Sequence, residues 1–241
     1  MRSPLFHPDG PSLRELAHQA FSSTTRGYDL LAPKFEFTPF RTPTALLEPL
    51  ADAVGEDGSV EAALDICCGT GAAMRLLRPK CTSHVTGIDL SAGMLAEGRR
   101  LMADAPGEAR AIFLEADALR MPFQEEFDVA TCNGAFGHIL EPDQDEFAQG
   151  VWRALKPGGR FLFITRPMPT MGNPTWWVYR GFNAAMHVRN FVWKPEFIMF
   201  YLTFTQERAR TVLERNGFSV EFQNPFSGRF RVARLCVATR I

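Results

Sequence analysis

The stretch Ala63-Leu64-Asp65-Ile66-Cys67-Cys68-Gly69-Thr70-Gly71 decides the fold of this chain. It reads as a short apolar strand, a tight turn with two glycines, and the start of a helix. Glycine takes positive φ freely and lets a ligand approach the backbone without meeting a Cβ. A turn of this kind, at the carboxyl end of a parallel strand, is where an open α/β sheet binds a nucleotide.

Working outward, strands and helices alternate, which argues a mostly parallel sheet. Strands are expected at about 62–66, 85–89, 111–114, 127–132 and 160–165. Helices are expected from Gly71, from Ser91 to Met102, from 142 to 155 and from Thr205 to Asn216. Lys156-Pro157-Gly158-Gly159 reads as a stop and turn. Two final strands, 218–222 and 230–239, are separated by too few residues for a parallel crossover, so they must be antiparallel. Upstream, residues 1–11 read as a loose arm. Ser12 caps a short helix, and Thr42-Pro43 opens a second helix that Gly55 stops.

Three acids follow in register. Asp65 lies four residues before Gly69, near the end of a buried strand, and needs a partner there. It suits a ligand with a positive charge at the turn; the other reading is a group that binds turn amides. A dinucleotide pyrophosphate would meet a like charge, and Met74 stands where that fingerprint has its third small residue. A nicotinamide or flavin oxidoreductase is therefore disfavoured. Asp89 ends the second strand, where a carboxylate accepts from vicinal ribose hydroxyls; otherwise it belongs to the helix start that Ser91 caps. Asp117 can accept from an exocyclic adenine amine or serve as a loop acid. Leu90 and Met94 can sandwich the ring, or Met94 can be core.

Composition narrows the class. With 241 residues, 46% apolar and 22% charged, the chain suits one soluble α/β domain with an insertion. A net charge of -1 makes no case for nucleic-acid binding. The five cysteines form no C-x-x-C pair and no zinc-ligand spacing, which favours a reducing, cytoplasmic setting and no metal. No amino-terminal apolar run marks a signal peptide and no stretch is long enough to span a bilayer.

ALDICCGTG, VTGIDLSAGML, EADALRMPF, FDVATCNGAFGHI and WRALKPGGRFLFI, in this order, resemble the class I S-adenosylmethionine (SAM)-dependent methyltransferases. The likeness is greatest to the small-molecule branch that includes the ubiquinone and menaquinone biosynthesis methyltransferases. It covers about residues 60–165 and the elements after Thr205. It implies a Rossmann-like, seven-stranded, mostly parallel sheet with the last strand antiparallel and helices on both faces. An amino-terminal helical cover (1–58) and an aromatic lid insertion (about 167–204) complete the methyltransferase domain (59–241). It implies further that Asp65 and Gly69, with Gly71 in the same turn, hold the methionyl end of SAM. Asp89 then binds the ribose, Asp117 and Ala118 read the adenine, and Asn133 and Gly134 flank the methionine. CNGA is not the proline-aromatic motif of enzymes acting on nucleic-acid bases or protein amides.

YDLLAPKFEF resembles the start of the same quinone-related enzymes. Phe35 stands where a tyrosine is common, so Arg41 is expected to meet the SAM carboxylate, unless it is a surface arginine. The insertion carries ten aromatic residues, among them Trp176, Trp177, Phe191 and Trp193, and four methionines. They suit the wall of an apolar acceptor site or, equally, an interface. His138, after the fourth strand, is the candidate general base; His187 and Tyr179 are weaker ones. The expected activity is in-line methyl transfer to a small apolar or aromatic acceptor. The alternatives are a membrane-associated quinone-ring C-methyltransferase and a non-catalytic SAM-binding regulatory protein.

Overall fold

The computed structural model describes residues 7–241, so the first six residues of the expected arm lie outside the described residues. The amino-terminal part holds α1 (Leu13–Ala20), α2 (Thr24–Leu31), a 3-10 turn at Ala32–Phe37 and α3 (Thr44–Val54). Ser12 caps α1 in a reciprocal box with Glu15. α3 starts one residue later than Thr42-Pro43 suggests: Pro43 takes the cap position and no side chain caps the helix.

The sheet and its helices follow in order: β1 (Val60–Ile66), α4 (Ala72–Leu77), β2 (Cys81–Asp89), α5 (Ala92–Met102), β3 (Arg110–Glu115), β4 (Phe127–Cys132) and α6 (Gln144–Ala154). Then come β5 (Leu155–Thr165), α7 (Pro174–Val192), α8 (Gln206–Arg215), β6 (Phe218–Gln223) and β7 (Arg234–Arg240). The strand order is β3-β2-β1-β4-β5-β7-β6. β1 through β5 pair in parallel, and β7 runs antiparallel between β5 and β6. The seven-stranded sheet with its antiparallel last strand is the expected fold.

Period-two alternation sends β1 side chains to two cores. Leu64 and Ile66 join Phe147, Val151 and Leu213 beneath α6 and α8. Ala63 joins Leu50, Val54, Met74, Leu77 and Leu95 beneath α3, α4 and α5. Much of the large phenylalanine complement is structural: Phe127, Phe147, Phe161, Phe163 and Phe218 are fully buried.

Two expectations at the strands change. The turn at Lys156-Pro157-Gly158-Gly159 does not precede β5 but lies inside it. Pairing with β4 jumps from Phe127–Leu155 to Val129–Arg160, and Gly158 takes φ +74 where the chain bulges. β7 begins at Arg234 rather than at residue 230, because Gly228–Phe230 forms a 3-10 turn first. The insertion after β5 contains the 19-residue helix α7, which broken apolar periodicity had concealed. The insertion leaves and re-enters the domain at one point, where the Gln206 N–H donates to the Arg166 carbonyl at 2.9 Å.

Met74 is fully buried, and the close approach that a third glycine gives a dinucleotide fold is supplied from the opposite side. A Cβ on Gly87 of β2 would lie 2.2 Å from Met74 Sδ and 3.0 Å from Cys68 Cβ. One on Gly98 of α5 would lie 2.7 Å from the Phe113 ring. Gly87→Ala is expected to lower stability by about 1–3 kcal/mol through overpacking. Urea unfolding measures this, and an unchanged midpoint would contradict it.

Candidate active site

The strand order reverses at β1, and there, outside the carboxyl ends of β1, β2 and β4, lies a cavity of about 440 Å³. Asp65, Gly69, Asp89, Leu90, Met94, Asp117, Ala118, Asn133, Gly134 and His138 line it, and Gly71 does not. Gly71 instead shapes the turn, with φ +75 at the start of α4; Gly69 takes φ +52 and Cys67 φ +54. A left-handed Cys is costly, and here it carries the chain sharply from β1 into the turn.

Asp65 is buried at 2% exposure, and Thr131, its partner across the β1–β4 ladder, donates to it at 2.7 Å. The charge that bears on it is Asp89, of like sign. Burial, opposed by the Thr131 hydroxyl and aided by Asp89, pushes the Asp65 carboxyl up to about 7. The site therefore holds an acid with no cation of its own. Asp89 uses one oxygen to accept from Gly69 N at 2.9 Å and the other to accept from Ser91 N at 2.9 Å. It braces both the glycine turn and the start of α5, and a carboxylate oxygen so engaged keeps a second lone pair for a diol. Burial raises its carboxyl as well. Asp117 accepts from Leu119 N at 2.9 Å, holding the loop after β3 against the cavity.

Asn133 carries the clearest mark of a ligand. Its amide nitrogen and oxygen are both buried with no hydrogen-bond partner among the described residues, yet it lines the cavity. A buried amide left unpaired at both ends is costly. An amino-acid moiety beside it, with an ammonium toward Asp65 and a carboxylate, would satisfy both atoms. This donor and acceptor set fits SAM: ammonium, diol and adenine in a row.

Comparisons with known proteins point the same way. Residues 63–159 match the family described as "Methyltransferase domain". That stretch is similar to a methyltransferase domain. Over 132 residues it is 38% identical to a demethylmenaquinone methyltransferase of Clavibacter sepedonicus, covering 52% of this chain and 48% of that one. Over 168 residues it is 30% identical to the Staphylococcus aureus (strain JH9) protein of the same name, covering 68% and 65%. The chain thus spans about half to two thirds of these relatives. A SAM-dependent methyltransferase structure from Methanosarcina mazei superimposes with a TM-score of 0.59 at 17% identity, over 80% of this chain and 97% of that one. At that identity the likeness is one of fold.

The roof of the methyltransferase cavity comes from the amino-terminal helices, and two carboxylates that sequence reading passed over fasten it. Asp29 of α2 accepts from Ser91 Oγ at 2.6 Å and from Gly93 N at 2.9 Å. A Cβ on Gly93 would come within 3.0 Å of the Asp29 backbone, so the close contact requires glycine. Glu36 accepts from Thr70 Oγ1 at 2.6 Å and from Arg75 Nη2 and Arg41 Nε, both at 3.0 Å. Arg41 lines the cavity, but its Nη1 is also spent, on Thr42 O and Thr44 Oγ1. It is built into the roof's ion-pair cluster rather than presented as a lone cation.

His138 lines the cavity with both ring nitrogens already engaged. Nδ1 meets the Ile198 carbonyl, which only accepts, so Nδ1 carries the proton. Nε2 is then the acceptor for Tyr28 O–H at 2.9 Å. His138 cannot take a proton from an acceptor directly; the group that reaches the cavity from this pair is the Tyr28 hydroxyl. Burial lowers the His138 pKa and raises that of Tyr28, so both are neutral at rest.

The lid departs most from expectation. Of residues 167–204, only Ile198 lines the cavity. The aromatic wall comes from Tyr28, Phe35 and Phe40 of the roof. Tyr179 stacks on Tyr201 at 4.8 Å and His187 lies 4.6 Å from the Phe200 ring, so neither weaker candidate reaches the site.

The raised Asp65 carboxyl gives a signed prediction. Binding an ammonium requires the ionised acid, so S-adenosylhomocysteine affinity, measured by calorimetry, should be flat above pH of about 7. Below that it should fall towards tenfold per pH unit. Asp65→Asn should bind weakly and lose this pH dependence. Because the folded-state pKa is raised, the stability this group contributes is present at low pH and lost as pH rises through about 7. Asp65→Asn should therefore melt higher than the parent at mildly alkaline pH. A lower melting temperature there would contradict the reading.

Proposed function

We propose that this protein transfers the methyl group of SAM to a small, apolar or aromatic acceptor bearing an acidic hydroxyl. The observation that carries this is the Tyr28–His138 pair facing the same cavity as Asp65 and Asn133. When bound, SAM supplies an electrophilic methyl on a positively charged sulfur. Asp65 and Asn133 hold the amino-acid end, Asp89 the ribose, and Asp117 with Ala118 the adenine edge, with Leu90 and Met94 against the ring. Gly134, at φ +79 beside Thr42, keeps the β4 turn tight against the roof.

On the acceptor side, Phe35 and Phe40 exclude water and align the acceptor, and alignment supplies much of the rate of such a displacement. As the acceptor oxygen takes the methyl, its proton passes to Tyr28 Oη while the Tyr28 proton passes to His138 Nε2. The positive charge that leaves the sulfur reappears on the imidazole, so the net charge of the site is unchanged. The Ile198 carbonyl orients the ring for this exchange.

The second reading is methylation at the ring carbon of a quinol, supported by the names of the related proteins. The same base pair would then draw the hydroxyl proton that makes the ring nucleophilic. A panel of phenols and quinols, with S-adenosylhomocysteine as readout and mass spectrometry of the product, separates oxygen from carbon methylation. Tyr28→Phe and His138→Asn should each lower kcat by about 10²-fold or more, leaving S-adenosylhomocysteine affinity unchanged. Full turnover by Tyr28→Phe would rule out the relay. Cofactor binding without turnover of any acceptor would favour a regulatory SAM-binding protein.

A further inference from the structure

Helix α7 spends several polar side chains on the protein and leaves an apolar stripe outside. Its polar side chains face the protein: Asn183 bonds the backbone of Tyr201 through both amide atoms, at 2.8 and 2.9 Å. Asn190 does the same to Phe197, at 3.0 and 3.1 Å. The Arg189 guanidinium is spent on the carbonyls of Ala20, Ser22 and Pro195. Tyr179 and Phe182 also pack inward, on Tyr201, but the remaining apolar side chains form an outward stripe. Trp177 (62% exposed), Val178, Ala184, Val188 (64%), Phe191 (89%) and Val192 recur at three- and four-residue spacing along one stripe, and no residue of the helix is buried. Exposed Trp193 continues the stripe and packs at 5.0 Å on exposed Phe21 of α1. An ordinary surface helix has the reverse arrangement, and a contiguous apolar surface of this kind marks a binding face.

Charge selects the occupant. From Arg166 to Pro195 the chain carries Arg166, Arg180, Arg189 and Lys194 and no acid at all, although the whole chain is net -1. Arg180 is exposed beside the stripe, stacked 5.3 Å from the Trp176 ring. Lys194, at the far end, pairs with Glu196, the first acid to follow. A symmetric contact between two copies would bring Arg180 of each helix to a face that carries no carboxylate to answer it. An aliphatic and tryptophan stripe flanked by arginine, lacking hydrogen-bonding side chains, matches an anionic lipid surface. No described helix is long and apolar enough to cross a membrane, so α7 would lie on the bilayer rather than in it. Phe197–Leu202, the other apolar run of the insertion, is turned inward: Phe197 is buried and the Phe200 N–H donates to the Gly137 carbonyl at 2.8 Å.

We propose that the outward face of α7, with Phe21 and Trp193, is a docking surface for anionic bilayers. This rests on the surface of the helix and not on the identity of the acceptor, so its test reads binding alone. The full chain is sedimented with vesicles of phosphatidylcholine, and of phosphatidylcholine mixed with phosphatidylglycerol. Binding is expected to the mixed vesicles and to weaken as salt screens the arginines. The double variant Val188→Glu/Phe191→Glu should reduce it at least about tenfold, and Arg180→Glu by several-fold. None of these side chains supports the fold from within, and unchanged S-adenosylhomocysteine binding by the variants verifies that they are folded. Equal partitioning of the parent and the double variant would overturn the proposal, as would no binding to mixed vesicles. A dimer in solution that the double variant dissociates would also overturn it, assigning the face to a second copy.

Discussion

A carboxylate buried without a counter-ion sets the terms for this molecule. Asp65 sits at the end of the central strand because β1 delivers it there, opposite Thr131. A purely structural sheet would place an apolar residue at that point and gain stability. The chain instead keeps an acid whose charge is met only by something that arrives. The unpaired amide of Asn133 and the left-handed Cys67 belong to the same bargain: local cost kept where a cationic ligand can relieve it.

The roof follows from that constraint. A buried acid keeps its leverage only if water stays out, and the amino-terminal helices provide the cover. They are tied down at two places, Asp29 on the start of α5 and Glu36 on the glycine turn, both on segments that also form the cavity floor. Closure of the roof and shaping of the floor are therefore one event. Tyr28 immediately precedes the first of these anchors, Asp29, and its hydroxyl meets His138 of the loop after β4, so the pair forms only when the roof is seated.

The sheet and the floor were legible in the sequence because their signals are local. Strand, glycine turn and helix cap lie within a few residues of one another, and Asp65, Asp89, Asp117 and Asn133 each end or follow a strand. The roof was not legible, because its meaning lies in pairings across long separations: Asp29 with Ser91, Glu36 with Thr70, Tyr28 with His138. Nothing near Tyr28 indicates which histidine it will face. The lid misled for a different reason. Its aromatic residues suit a ligand wall or an interface alike, since composition reports that apolar side chains need cover but not on which side the cover lies. Asn183, Arg189 and Asn190 are turned inward, and Trp177, Phe191 and Trp193 are left outside.

The pinch between Arg166 and Gln206 makes residues 167–204 a cassette. The sheet meets only its two ends, held side by side by a single backbone bond, and the cassette touches the cavity through Ile198 alone. Its outward surface can drift without asking β5 or α8 to move, as long as Ile198 keeps its carbonyl on His138. The outward face of α7 and the cavity floor are thus written in different stretches of chain, so one surface can change while the other is kept.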